Sequence, residues 1–245
     1  MRGARAGIDP TPSDDERGVS DVLAFMLVFA MILGSVILMS ITGMMAMQGY
    51  QEGEQSHNAQ RAMKSLAANF DDVLRYDGVT ERYGELSLRG GTVTADSSGT
   101  IVNVTANGSP LNESYDLGTF TYETETGVIA YQGGGLIRAA EDNSVFLEEP
   151  ALTCNPDRNT ALVSLVKIRS ERRSIQSDGT LGVTILRTDR NRTVYDVDNV
   201  TVSVDDPNTD YEQAWNSIGE DGDDEWTCDK ADHVVVTVVT VDIEY

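Results

Sequence analysis

The sequence predicts an α+β protein: an N-terminal transmembrane helix, an amphipathic helical extension, and a mainly antiparallel, sandwich-like β ectodomain. Three observations carry this reading. Residues 22–47 run for 26 positions without a charge. Residues 54–74 repeat apolar side chains at helical spacing. Beyond Asp77-Gly78, short runs rich in Val, Ile, Thr and Tyr alternate with clusters of Gly, Asp, Asn and Ser. The expected organisation is a polar leader over 1–18, a transmembrane helix over 19–47, a juxtamembrane amphipathic helix over 48–76, and a β-rich extracellular domain over 77–245.

The apolar run comes first. As a helix rising about 1.5 Å per residue it would extend about 39 Å, more than the roughly 30 Å hydrocarbon core demands. Its partner is therefore the lipid bilayer. Gly34, Ser35, Gly43 and Ala46 are small residues that would let another helix approach closely. The run is too long for a secretory signal peptide, and no small-residue cleavage site follows it. Basic residues flank it almost evenly, with Arg2, Arg5 and Arg17 before and Arg61 and Lys64 after, so orientation rests on the bulk of the chain being external. That places the N-terminus in the cytoplasm, the C-terminal domain outside, and a single pass through the cell membrane.

The residues leading into this run, Asp14-Asp15-Glu16-Arg17-Gly18-Val19-Ser20-Asp21-Val22-Leu23, resemble the start of archaeal, especially haloarchaeal, type IV pilin-like proteins. The resemblance covers about residues 14–47. It implies cleavage by a prepilin-type peptidase between Gly18 and Val19, and packing of the retained helix against other pilin-like subunits. The sequence departs from the family pattern at Asp21, where many members have proline, and at Leu23, where bacterial members have glutamate. The stretches FDDVLRYDG and ERYGELSLRGG add a likeness to haloarchaeal pilin-like membrane proteins with larger ectodomains.

Glycines at 49 and 53 are expected to bend or interrupt the helix. Over 54–74, Ala59, Ala62, Met63, Leu66, Phe70, Val73 and Leu74 then share one face, which predicts packing against the domain that follows or a neighbouring subunit. Strands are expected over 83–88, 91–95, 100–106, 119–122, 127–131, 162–169, 181–187, 193–204 and 233–245. Val200, Val202 and Val204 alternate with polar residues, as on a sheet with one wet face, whereas residues 234–241 are nearly all apolar and read as a central strand. Thr209-Asp210-Tyr211-Glu212 reads as a capping box opening a helix that Gly219 closes, with Tyr211, Ala214, Trp215 and Ile218 as its buried stripe.

Charge narrows the function. With 18 basic and 40 acidic residues the formal charge is −22, which is incompatible with a nucleic-acid partner. The bases are 15 Arg and 3 Lys, and residues 196–245 hold 15 acids against Lys230 alone. Such a surface suits a halophile, where dense counterions screen it. Sequons at Asn103, Asn107, Asn112, Asn191 and Asn199 all follow the membrane run and make these candidate N-glycosylation sites. Cys154 and Cys228 are expected to form a disulfide, with two buried thiols as the alternative.

Catalytic patterns are lacking. His57 and His233 show no metal-ligand spacing, no G-x-S-x-G elbow is present, and Gly133-Gly134-Gly135 lacks the Lys-Ser/Thr of a P-loop and reads as a strand-end loop. The acidic run over 220–225 does not fit a calcium loop and reads as solvated. No enzyme activity, metal or cofactor is expected. The sequence points to a pilin-like, membrane-anchored surface protein with a structural or interaction role. The alternative is an uncleaved signal anchor carrying a β-rich binding or sensing module.

Overall fold

The computed structural model describes residues 14–88, 90–107, 109–111, 114–141, 143–176, 178–206, 210–219 and 224–245. Two compact units emerge, one within Met1–Gln51 and one over Glu52–Tyr245. One helix, α1 (Asp14–Arg75), runs through the boundary between them. The interruption expected at Gly49 and Gly53 does not occur: helical assignment continues through both. A glycine weakens a helix by about 1 kcal/mol, and that does not break one with this many neighbouring helix formers.

In the first unit, Ser20–Met45 of α1 holds an 18-residue window of mean hydropathy 2.8 with none of it buried, and it is long and apolar enough to cross a membrane. Two of its hydroxyls are satisfied within the helix. Ser35 Oγ donates to the Ile32 carbonyl at 2.8 Å and Thr42 Oγ1 to the Leu38 carbonyl at 2.9 Å. Neither hydroxyl therefore requires water, as an apolar solvent demands.

The second unit is β-rich and largely antiparallel. After α1 come β1 (Glu81–Ser87), β2 (Thr92–Asp96), β3 (Ile101–Ala106), β4 (Ser109–Pro110), β5 (Tyr115–Asp116), β6 (Thr119–Thr124), β7 (Gly127–Gln132) and β8 (Gly135–Ala140). They are followed by β9 (Asn143–Glu148), β10 (Ala151–Asn155), β11 (Thr160–Ile168), β12 (Arg173–Gln176), β13 (Thr180–Tyr195) and β14 (Val200–Asp206). Helix α2 (Glu212–Trp215), β15 (Glu225–Cys228) and β16 (His233–Glu244) complete the chain. The strands form three sheets, ordered β1-β13-β16-β11-β10, β12-β2-β6-β7-β8-β9 and β15-β14-β3-β4, with β5 added to β3. Among the described residues one pairing, β11 with β16, is parallel.

Strand β16 lies at the centre of the first sheet, and each of its faces contributes to a core. Val239, Val241 and Ile243 join a core with Met63, Leu66, Phe70 and Val73 of α1 and with Phe120, Tyr122 and Tyr131 of the second sheet. Val234, Val236 and Val238 join a second core with Val102, Val104, Val200, Val202 and Trp215. Burial on both sides is why this strand reads as a nearly continuous apolar run rather than an alternation. The amphipathic end of α1 thus belongs to the same core as the strands: Phe70 is fully buried and stacks on Tyr131 with ring centroids 4.1 Å apart.

Several boundaries differ from those the sequence suggests. The strand expected at 181–187 and the start of the one expected at 193–204 form one 16-residue strand, β13, with a register shift between Arg187 and Asp189, while the rest of the latter is the separate strand β14. The expected helix over 209–219 shrinks to the single turn of α2, whose N-cap residue Tyr211 makes no side-chain cap hydrogen bond. Thr209, the expected cap, lies outside the described residues. One turn cannot hold itself together, and packing sustains it instead. Tyr211, Ala214, Trp215 and Ile218 are all buried, and the Ala214 N–H donates to Ser144 Oγ at 3.0 Å. Strands β4, β5, β8, β9, β10, β12 and β15 have no counterpart among the expected ones. They are short and mix charged or small residues with apolar ones, so cross-strand pairing rather than local pattern makes them.

Candidate functional site

The residues singled out by sequence are scattered over the chain. Gly18 and Val19 lie within α1. Asn103 sits half-buried on β3, opposite Ser203. Asn107 is exposed with φ of 49°, in the left-handed region that Asn tolerates, and its N–H donates to Asn199 Oδ1 at 2.7 Å. Asn199 is therefore already a structural acceptor. Asn191 is exposed on β13, and its Oδ1 accepts from Thr193 Oγ1 at 3.1 Å. Asn112 and residues 220–223 of the acidic run lie outside the described residues.

Cys154 and Cys228 are joined by a disulfide with Cα atoms 5.5 Å apart. The bond ties β10, at the edge of the first sheet, to β15, at the edge of the third. His233 Nδ1 lies 2.8 Å from Asp196 Oδ1 on the surface. Gly133 and Gly134, both at positive φ, form the tight turn of the β7–β8 hairpin. No group of three or more His, Cys, Asp or Glu residues is placed to hold a metal among the described residues.

Sequence reading missed a cavity of about 440 Å³ at the point where α1 ends on the first sheet. Its origin is geometric. Helix α1 covers the row Val166, Val239 and the rows beyond it, then stops at Arg75. The next two rows of the same face extend past the end of the helix. They are Ala151, Ser164, Thr237 and Arg192, then Thr153, Leu162, Val235 and Val194, running across β10, β11, β16 and β13. Leu162 and Val194 are accordingly 40% and 58% exposed.

The arginines reach this face because of the bulge in β13. Strict alternation from Arg187 would put Asp189 and Asn191 on its side of the sheet. The extra residue at Thr188 shifts the parity, so Arg187, Arg190 and Arg192 pair with Val241, Val239 and Thr237, all on the α1 side. Arg187 caps the helix: its guanidinium donates to the carbonyls of Val73, Tyr76 and Asp77, at 2.6 Å for the last. Arg190 pairs with Asp77 at 2.8 Å, and Arg75 with Asp71 at 2.8 Å. Burial pushes the Asp71 carboxyl above its ordinary range, against the opposing pull of Arg75. Arg192 is exposed and has no ion-pair partner among the described residues. The sequence signal that could have found this site is Arg190-Asn191-Arg192, two arginines on one strand face in a strongly acidic chain.

Apolar helix and β-rich body together define the class: a mainly antiparallel β protein carrying an N-terminal helix apolar enough for a bilayer. The chain belongs to a family of unknown function, DUF7289, whose model matches residues 17–244. No curated protein and no solved structure matches it.

Proposed function

We propose that this chain is a pilin-like, membrane-anchored surface protein with a structural or interaction role. In this reading, Ser20–Met45 crosses the cell membrane once, the N-terminus is cytoplasmic, and the β-rich unit stands outside the cell as a sandwich-like ectodomain. The observation that carries it is the 26-residue span Ser20–Met45, whose most apolar 18 residues have mean hydropathy 2.8 and none buried. Water does not tolerate so long an apolar surface, and lipid or neighbouring helices would cover it. Its internally bonded hydroxyls support the same reading. Apolar cores on both sides of β16 support the layered ectodomain. The disulfide and the exposed sequons at Asn107 and Asn191 fit an external location, and the charge of −22 fits a halophilic host.

Processing is the test. Mass spectrometry of the protein isolated from its native membrane should find a chain beginning at Val19, with prepilin-type peptidase activity as the cause. An intact Met1–Gly18 leader would remove the pilin-like reading. One observation favours the alternative of an uncleaved signal anchor bearing a binding module: the Gly18–Val19 bond lies inside α1, whereas a protease needs its substrate backbone unwound. The same measurement decides between the two.

A further inference from the structure

The open face beyond α1 is unusual for this chain. A protein with formal charge −22 sets Arg75, Arg190 and Arg192 around one cavity. We propose that this cavity binds a small organic monocarboxylate. Its carboxylate is held by Arg192 and Arg190, and its apolar body rests on Ala151, Leu162 and Val235. This goes beyond the anchoring role and is independent of it.

Charge sets the anion's valence. Asp71 matches Arg75 and Asp77 matches Arg190, while Lys64 and Glu148 nearby match each other at 3.4 Å. Among the described residues lining it, Arg192 is left without a partner, which leaves the cavity one negative charge short. Hydrogen bonding points the same way. Arg190 is only 16% exposed, and its Nη1 is buried without an aligned hydrogen bond despite the nearby Asp77 oxygen. A guanidinium offers five N–H donors in a planar fork, and a buried one left unmet costs free energy that a carboxylate oxygen would recover.

The floor sets the rest of the ligand. About 440 Å³ lies within the range of small-molecule pockets and far exceeds a single carboxylate. Leu74, Leu162 and Val235 make part of it apolar, and Thr153, Ser164 and Thr237 add hydroxyls. A second copy is the poorer occupant, because two chains of charge −22 repel each other. The bulge at Thr188 gives the arrangement its specificity: without it Arg190 and Arg192 would sit on the opposite face.

The experiment uses the full chain in detergent micelles, with benzoate as probe and saturation-transfer NMR as readout, at constant ionic strength. Benzoate should bind saturably, and R192Q should weaken it by about tenfold or more, the loss expected for a charged hydrogen-bonded pair. R138Q, an equal charge change at the exposed Arg138 of β8, should leave binding unchanged, and neutral benzamide should bind at least about tenfold more weakly than benzoate. Near-ultraviolet circular dichroism on each variant establishes that it is folded. Equal benzoate binding by R192Q and the unaltered chain would overturn the proposal, as would equal binding of benzamide. So would displacement by sulfate at the same concentration as benzoate, which would mark a plain anion site. Absence of benzoate binding together with Arg192-dependent self-association in sedimentation would assign the face to a second copy instead.

Discussion

Gly118 shows how a single position can be dictated by backbone alone. It holds φ of +63°, and a Cβ there would press on the Ile168 carbonyl oxygen, while the Ile168 N–H donates to Leu117 O at 2.9 Å. Gly118→Ala should cost on the order of 2–3 kcal/mol in denaturant melts, from left-handed strain plus the displaced strand end. A loss under half of that would mean the loop yields freely. Tyr211 offers a pH test. Burial, aided by the Asp210 charge, pushes its phenol up to about 12. The unfolded value is about 10, so the folded state keeps the proton more tightly. The resulting stabilisation is complete below about pH 10 and lost as pH rises through about 12, on the order of 3 kcal/mol. Tyr211→Phe should lose less stability than the unaltered chain over that interval. Identical alkaline unfolding profiles would contradict the assignment. Tyr131, fully buried, is raised in the same direction by the same cause.

Among the elements, the C-terminal stretch of α1 is the one whose role changes most once the fold is known. Its periodicity is plain in sequence: Ala59, Met63, Leu66, Phe70 and Val73 at helical spacing. That it forms the shared centre of two sheets is not. Phe70→Ala removes a fully buried ring stacked on Tyr131 and tilted against Phe120, and should destabilise the β-rich unit by about 3–5 kcal/mol. Thermal or denaturant unfolding of the full chain reads this directly. A cost below about 1 kcal/mol would show that the helix merely leans on the sheet. The β13 bulge carries a different lesson. Alternation in the sequence 187–192 gives the wrong face for Arg190 and Arg192, because one inserted residue inverts the parity of all that follows.

For the whole molecule, a formal charge of −22 implies electrostatic self-repulsion. Charges of one sign interact over about 30 Å at 0.01 M salt and about 3 Å at 1 M, so the melting temperature should climb steadily between these conditions. A melting temperature independent of salt would remove the halophilic reading. The apolar segment, the β character of the body, the central position of residues 234–241 and the buried stripe Tyr211, Ala214, Trp215 and Ile218 were all legible in the sequence. Each rests on local composition or on a period of 2 or 3.6, and solvent imposes those directly on the chain. The short strands, the one-turn helix at Trp215, the fusion of two expected strands into β13 and the arginine-lined cavity were not legible. They depend on which strand lies beside which, on where α1 runs out of sheet to cover, and on a bulge that no local pattern announces. Pairing and coverage are properties of residues far apart in sequence, and only the tertiary structure brings those together.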